Sequence, residues 1–179
     1  MALILPGVLS LSQHVDTLRK EPESYRPKRC PRCGHAILWC HGCYTRKSDP
    51  TGVLNPVSIP RFFCPSPDCR STCSMLPECI PPRSWYLWQV RQVVFLLLLT
   101  GNSLNATVAS NGSLAGRQTI QRWWRRFLDC SPLYCFQLRA HLPWLGRHDD
   151  FADFWRRCLD STPLSTVMRL LNEEGATVP

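Results

Sequence analysis

The stretch Cys30-Pro-Arg-Cys33-Gly34 decides how this chain is read. Two thiolates three positions apart can chelate one ion, and the small Gly34 lets backbone amides turn towards the sulfurs. A second pair, Cys64 and Cys69, follows at the end of an apolar run and encloses Pro65, Ser66, Pro67 and Asp68. Two such pairs on neighbouring hairpins close a tetrahedron. The expectation is a small antiparallel zinc ribbon carrying one structural Zn2+ on Cys30, Cys33, Cys64 and Cys69. Four thiolates fill the coordination sphere and leave no open position to activate water.

The remaining cysteines leave an alternative open. Cys40 and Cys43 form another C-x-x-C with His41 between them and His35 nearby, and Cys73 and Cys79 follow the second pair. A second ion on Cys40, Cys43, Cys73 and Cys79 is one reading. The preferred one is a single site, with Cys40 and Cys43 as small packing residues pointed to opposite faces of a strand. Eleven cysteines, an odd number with mixed spacings, fit a secreted disulfide framework poorly. No basic region precedes the apolar N-terminus, and the run from Val93 to Leu99 is far short of the roughly 20 residues that span a bilayer. The expected setting is a reducing cytoplasm with no membrane association.

Outward from the cysteines, the chain divides by character into residues 1–24, 25–82, 83–130 and 131–179. The first is an arm with a short helix over Leu9 to Lys20. The second is dense in Pro and Gly, with strands at Ala36 to Thr45, Val57 to Phe63 and Ser71 to Leu76. Pro81-Pro82 stops it. Three helices follow: Trp85 to Leu99, capped by Ser84 and closed by Gly101; Ser103 to Ala109; and one from Leu114 or Gly116 to Leu128. The last part carries helices at Asp149 to Leu159 and from Pro163 to a stop at Gly175. The fold class is α+β, a zinc ribbon followed by an all-α helix-turn-helix region.

That helix-turn-helix is read from Ser103 to Phe127. Leu104 and Val108 face inward, Asn111-Gly112 turns the chain, and Ile120, Trp123 or Trp124, and Phe127 pack the next helix. The opposite face offers Arg117, Gln118, Gln121, Arg122, Arg125 and Arg126. Arginine pairs bidentately with guanine and glutamine with adenine, so Arg117, Gln118 and Gln121 are the base-reading candidates. Arg122, Arg125 and Arg126 are the phosphate-holding ones. Charge supports a polyanionic partner. From Ser24 to Leu128 there are 14 Lys/Arg against three acids, and Cys79 to Leu128 contains no acid at all.

Several runs resemble small bacterial zinc-ribbon proteins associated with transposases and insertion sequences. They are Tyr25-Arg-Pro-Lys-Arg-Cys-Pro-Arg-Cys-Gly34, His41-Gly-Cys-Tyr-Thr-Arg46, Arg61-Phe-Phe-Cys64 with Cys69, Ser74-Met-Leu-Pro77 and Ile80-Pro-Pro82. Proteins of that kind often carry a helix-turn-helix directly after the ribbon. The resemblance spans roughly Tyr25 to Phe127. It implies zinc on the four named cysteines and a link to mobile DNA. With the helix-turn-helix and the charge, the expected partner is double-stranded DNA and the expected place in the cell is nucleoid-associated. A transposase, or a second copy of the chain, is the further partner the resemblance suggests. Those ribbons carry an aromatic where this chain has Cys73, which implies packing there.

An enzyme is not expected. A self-sufficient transposase needs three carboxylates mounted on a parallel sheet to hold two metals. The acids of the last 51 residues (Asp149, Asp150, Asp153, Asp160, Glu173 and Glu174 among them) sit on short helices instead. A repressor unrelated to transposition fits the same residues. So does an interaction module whose ribbon and C-terminal helices dock a protein.

Overall fold

A computed structural model describes residues 2–49, 51–112, 114–146 and 150–178. It is mixed α+β and divides into two compact units, Met1–Tyr86 and Leu87–Pro179.

The first unit is built on a four-stranded sheet in the order β1-β4-β3-β2 (β1 Ala2–Leu5, β2 Trp39–Arg46, β3 Val57–Phe63, β4 Thr72–Pro77). β2 with β3 and β3 with β4 are antiparallel, as short loops require, while β1 joins β4 in parallel. The three expected strands are present within a few residues. β1 escaped the sequence reading because four apolar residues form a strand only where a distant neighbour supplies the ladder. Nor do residues 1–24 form a separate arm. Helix α1 (Leu11–Lys20) is capped by Ser10, whose Oγ accepts from Gln13 N, and it buries Leu11 and His14. His14 contacts the Tyr25 hydroxyl through Nδ1 and the Ser58 carbonyl through Nε2, at 2.5 and 2.8 Å. Burial pushes its pKa below the usual histidine value.

One buried cluster of this unit joins Tyr25, Leu38, Phe62 and Met75 to the sulfurs of Cys30, Cys64 and Cys73, and Val57, Ile59, Leu76 and Ile80 are buried as well. Phe62, Cys73 and Met75 face inward, so Arg61, Phe63, Thr72 and Ser74 take the outer face by alternation. Cys73 packs, as expected. Cys40 and Cys43 do not: both are exposed. They lie on the edge strand, where a bulge between them breaks the alternation that was to turn one of them inward.

The second unit holds α2 (Trp88–Leu99), α3 (Leu104–Ser110), α4 (Arg117–His141), α5 (Phe151–Ser161) and α6 (Leu164–Glu173). Ser84 caps no helix. Its hydroxyl accepts from Tyr86 N in a turn, and α2 begins later. Ser103 does cap α3 and accepts from Ala106 N at 3.2 Å. The largest difference is α4. Its expected end at Leu128 anticipated Pro132, yet the helix runs on to His141, and the division drawn at residues 130 and 131 falls inside it. Tertiary burial outweighs the lost backbone bond: Ile120, Trp123, Phe127, Ser131, Tyr134 and Leu138 form one continuous buried stripe through the proline. The start expected for the next helix, Asp149, lies outside the described residues; Asp150 caps α5.

The C-terminal helices cover that stripe. Phe127 stacks on Phe95 at 4.4 Å and meets Trp155 of α5 at 4.5 Å. Gln92 of α2 donates to the Leu159 carbonyl and accepts from Leu164 N, tying α2 to both C-terminal helices. Tyr134 donates its hydroxyl to the Thr177 carbonyl at 2.8 Å. The described residues after Asp129 are thus part of the body that positions α4. No helix among the described residues is long and apolar enough to cross a membrane.

Candidate metal centre and cationic helix face

The first C-x-x-C is a tight turn. Gly34 N donates to the Cys30 carbonyl at 2.9 Å, and Cys30 N donates to the His35 carbonyl at 2.8 Å. Gly34 adopts φ +76, the left-handed conformation that glycine reaches without a Cβ penalty. The wider pair closes in the same way. Cys69 N and Arg70 N both donate to the Ser66 carbonyl, and Cys64 N donates to the Ser71 carbonyl. Arg70 follows its cysteine as Gly34 follows Cys33, and it too is left-handed, at φ +44. A side chain is strained there. Arg70→Gly is expected to stabilise the first unit by about 0.5–1 kcal/mol, the relief of a left-handed residue less the chain entropy glycine adds. Chemical denaturation of the metal-loaded protein reads this, and an unchanged or lowered midpoint refutes it.

These turns bring the four sulfurs of Cys30, Cys33, Cys64 and Cys69 within 4.8 Å of one another. Cys30 and Cys69 are 3.8 Å apart, and Cys33 and Cys64 are 3.6 Å apart. A tetrahedral ion with metal–sulfur bonds of about 2.3 Å has edges of about 3.8 Å, so the donor set fits one metal ion. It is the one cluster of three or more metal-binding side chains among the described residues. Cys40, Cys43, Cys73 and Cys79 are not gathered into a second one: the first two are exposed and the last two buried.

Ser71, which the sequence did not single out, belongs to the surroundings of the site. Its hydroxyl lies 3.0 Å from Cys69 Sγ and 3.6 Å from Cys30 Sγ, close enough to donate to a thiolate. Burial acts to raise the Cys30 pKa, but the backbone amides of Arg32 and Cys33 and the Ser71 hydroxyl outweigh it and hold the thiol at about 6. Burial pushes Cys64 up to about 12. Metal binding therefore displaces protons from this site, and acid works against it.

In the second unit, α3 and α4 pack against each other across a short connection. Ile120, Trp123 and Phe127 are turned inward, and Trp124 is half-buried against Phe95 and Phe127. Arg117, Gln118, Arg122, Arg125 and Arg126 are exposed, and Gln121 is partly so. The helical period brings Arg117, Gln118, Gln121, Arg122 and Arg125 onto one strip, with Arg126 beside it. Arg91 is a different matter. Although it lies in the acid-free stretch, it is only 4% exposed, its guanidinium held 5.0 Å from the Trp88 ring and 4.8 Å from the Trp123 ring. Burial, with Arg126 nearby, lowers its pKa to about 10. It is a packing cation, and linear charge counting could not tell it from Arg122.

Fold and site together define an α+β protein of two compact units, one of them holding a four-cysteine cluster suited to a single metal ion. Residues 30–123 match a family described as Domain of unknown function (DUF6431), and the chain belongs to that family. The matched segment opens on the first cysteine of the cluster and ends on Trp123 in α4, so it contains all four sulfur donors. No curated protein and no solved structure matches the chain.

Proposed function

We propose that this protein binds double-stranded DNA through a helix-turn-helix formed by α3 and α4, and that its first unit is a zinc ribbon with one structural Zn2+. The observation that carries the reading is the outer strip of α4. Four arginines and two glutamines lie on a helix whose inner side is anchored by Ile120, Trp123 and Phe127. The strip meets no acid until Asp129. Arg117, Gln118 and Gln121, nearest the start of the helix, read base edges; Arg122, Arg125 and Arg126 hold phosphates. Zinc is the natural occupant of a closed four-thiolate tetrahedron, and in that role it builds structure and catalyses nothing. The resemblance to transposon-associated ribbons supports a role as an accessory or regulatory protein of a mobile element.

Duplex binding by the zinc-loaded protein across a salt series tests this. With three arginines neutralising phosphates, the slope of log K against log salt should be about −3. Arg122→Ala should reduce its magnitude by about one, leaving sequence preference unchanged. A flat salt response, or no duplex binding at low salt, removes the DNA reading.

A further inference from the structure

The outer face of the β2–β3 hairpin in the first unit has no part in the metal site, and its composition is unusual for bare surface. Trp39 is 59% exposed and His41 is exposed beside it, two positions along the edge strand. Trp39 pairs in register with Phe63, which pairs in turn with Thr72. The Phe63 ring, itself half-buried, lies 6.3 Å from Trp39 and 5.9 Å from His41, tilted by 48° and 30°, so the three rings form one aromatic platform from which Trp39 and His41 stand exposed. Arg61, on the same face, reaches towards the Thr72 hydroxyl of β4 at 3.4 Å, on the far side of β3 from Trp39.

The chain that carries this platform is rich in cations. Arg26 is paired with Glu23, and from Lys28 to Arg61 there are six Lys/Arg and a single acid, Asp49. That carboxylate is turned into its own loop, where it accepts from Thr51 N, Thr51 Oγ1 and Leu54 N. We propose that this face binds single-stranded nucleic acid, with an unpaired base stacked on Trp39, whose ring Phe63 and His41 support, and the backbone held by Arg61 and the surrounding cations. An exposed aromatic ring takes any base by its π-face, and the neighbouring charge supplies the phosphate contacts. The bases of an intact duplex are stacked on one another and cannot reach such a platform. This surface is therefore separate from the α4 strip and takes a different form of nucleic acid. The neighbouring ligand Cys64 fixes the end of β3 that carries Phe63, so the platform needs the folded metal site.

The test uses the full zinc-loaded chain and fluorescein-labelled (dT)12, (rU)12 and an abasic 12-mer, read by anisotropy. Binding to (dT)12 should exceed binding to the abasic strand at least fivefold, because only the former offers bases. Trp39→Ala and Phe63→Ala should each weaken (dT)12 binding about 5- to 100-fold. Trp39→Phe should recover most of the loss, and duplex binding should change less than twofold in all three variants. The (rU)12 arm assigns the strand: equal affinity means that the base alone is read, and a preference identifies RNA or DNA. Equal binding of the abasic and base-bearing strands by the wild-type chain overturns stacking, even where a variant fails to fold. So does a well-folded Trp39→Ala protein with wild-type affinity, or a wild-type chain that leaves (dT)12 and (rU)12 unbound because the face is made for a protein. Arg122→Ala, measured alongside, should affect the duplex arm only, which keeps failure here distinct from failure of the duplex reading.

Discussion

Stripping the metal with a chelator, or replacing Cys64 by Ser, is expected to unfold the first unit. The reason is that the sulfurs are built into its core. Tyr25, Leu38, Phe62 and Met75 are the large buried side chains gathered around the site, and Cys30, Cys64 and Cys73 sit among them as packing atoms. Structural zinc contributes on the order of 10–16 kcal/mol in comparable small domains, as much as or more than the roughly 5–15 kcal/mol by which whole proteins are stable. Loss of the ion therefore exceeds what the remaining contacts hold. Cys64→Ser adds a second cost, since a hydroxyl would replace a thiolate at a fully buried position. Far-UV circular dichroism should lose its sheet contribution, and limited proteolysis should cut within residues 1–86 of the metal-free protein. Adding zinc back should reverse both in the wild type and not in the variant. Metal-free protein that keeps a cooperative melt and resists protease would place the stability of this unit in its side chains instead. The direction with pH is set by the thiolates. Metal holds them deprotonated, so metal-dependent stability is present at neutral pH and is lost as acid protonates them.

Trp155→Ala should cost about 3–5 kcal/mol, the penalty for emptying a large aromatic site in a packed core. Trp155 is fully buried on α5, with its ring 4.5 Å from Phe127 of α4 and 5.6 Å from Phe154. Phe127 in turn stacks on Phe95 of α2. One substitution outside the α3–α4 pair thus loosens the inner side of the helix that carries the cationic strip. Urea denaturation should show the loss, and duplex binding should fall with it although no proposed DNA contact has been touched. Trp144→Ala is the matched control. That ring is 53% exposed, and its removal should change stability by no more than about 0.5 kcal/mol. A Trp155→Ala protein within about 1 kcal/mol of wild type would mean that the C-terminal helices do not support α4.

These two expectations fall on either side of what could be read without coordinates. The four-cysteine cluster was legible because ligation is a local demand. Two thiolates must leave one tight turn, and Cys30-Pro-Arg-Cys33-Gly34 encodes that turn in consecutive residues. The second pair, although wider, closes on the same pattern of amide bonds, with Arg70 accepting the conformation that Gly34 takes freely. The strand from Val57 to Phe63 and the inward spacing of Ile120, Trp123 and Phe127 were legible for the same reason: each is a short-range choice of the backbone.

What the sequence by itself determined, then, is the set of sulfur donors, the α+β order of elements and the polar strip of α4. Only the tertiary structure decided where long-range burial overrides local preference. It ran α4 through Pro132 because the stripe from Ile120 to Leu138 is covered along its whole length. It made a strand of Ala2–Leu5 by placing β4 beside it, and it brought the Ser71 hydroxyl against two of the sulfurs. It withdrew Arg91 from the surface between two indoles, and it left Trp39, His41 and Phe63 together on an open sheet face. Neighbours far apart in sequence set these outcomes, and their burial energy exceeds the preference of any single residue for helix, strand or water.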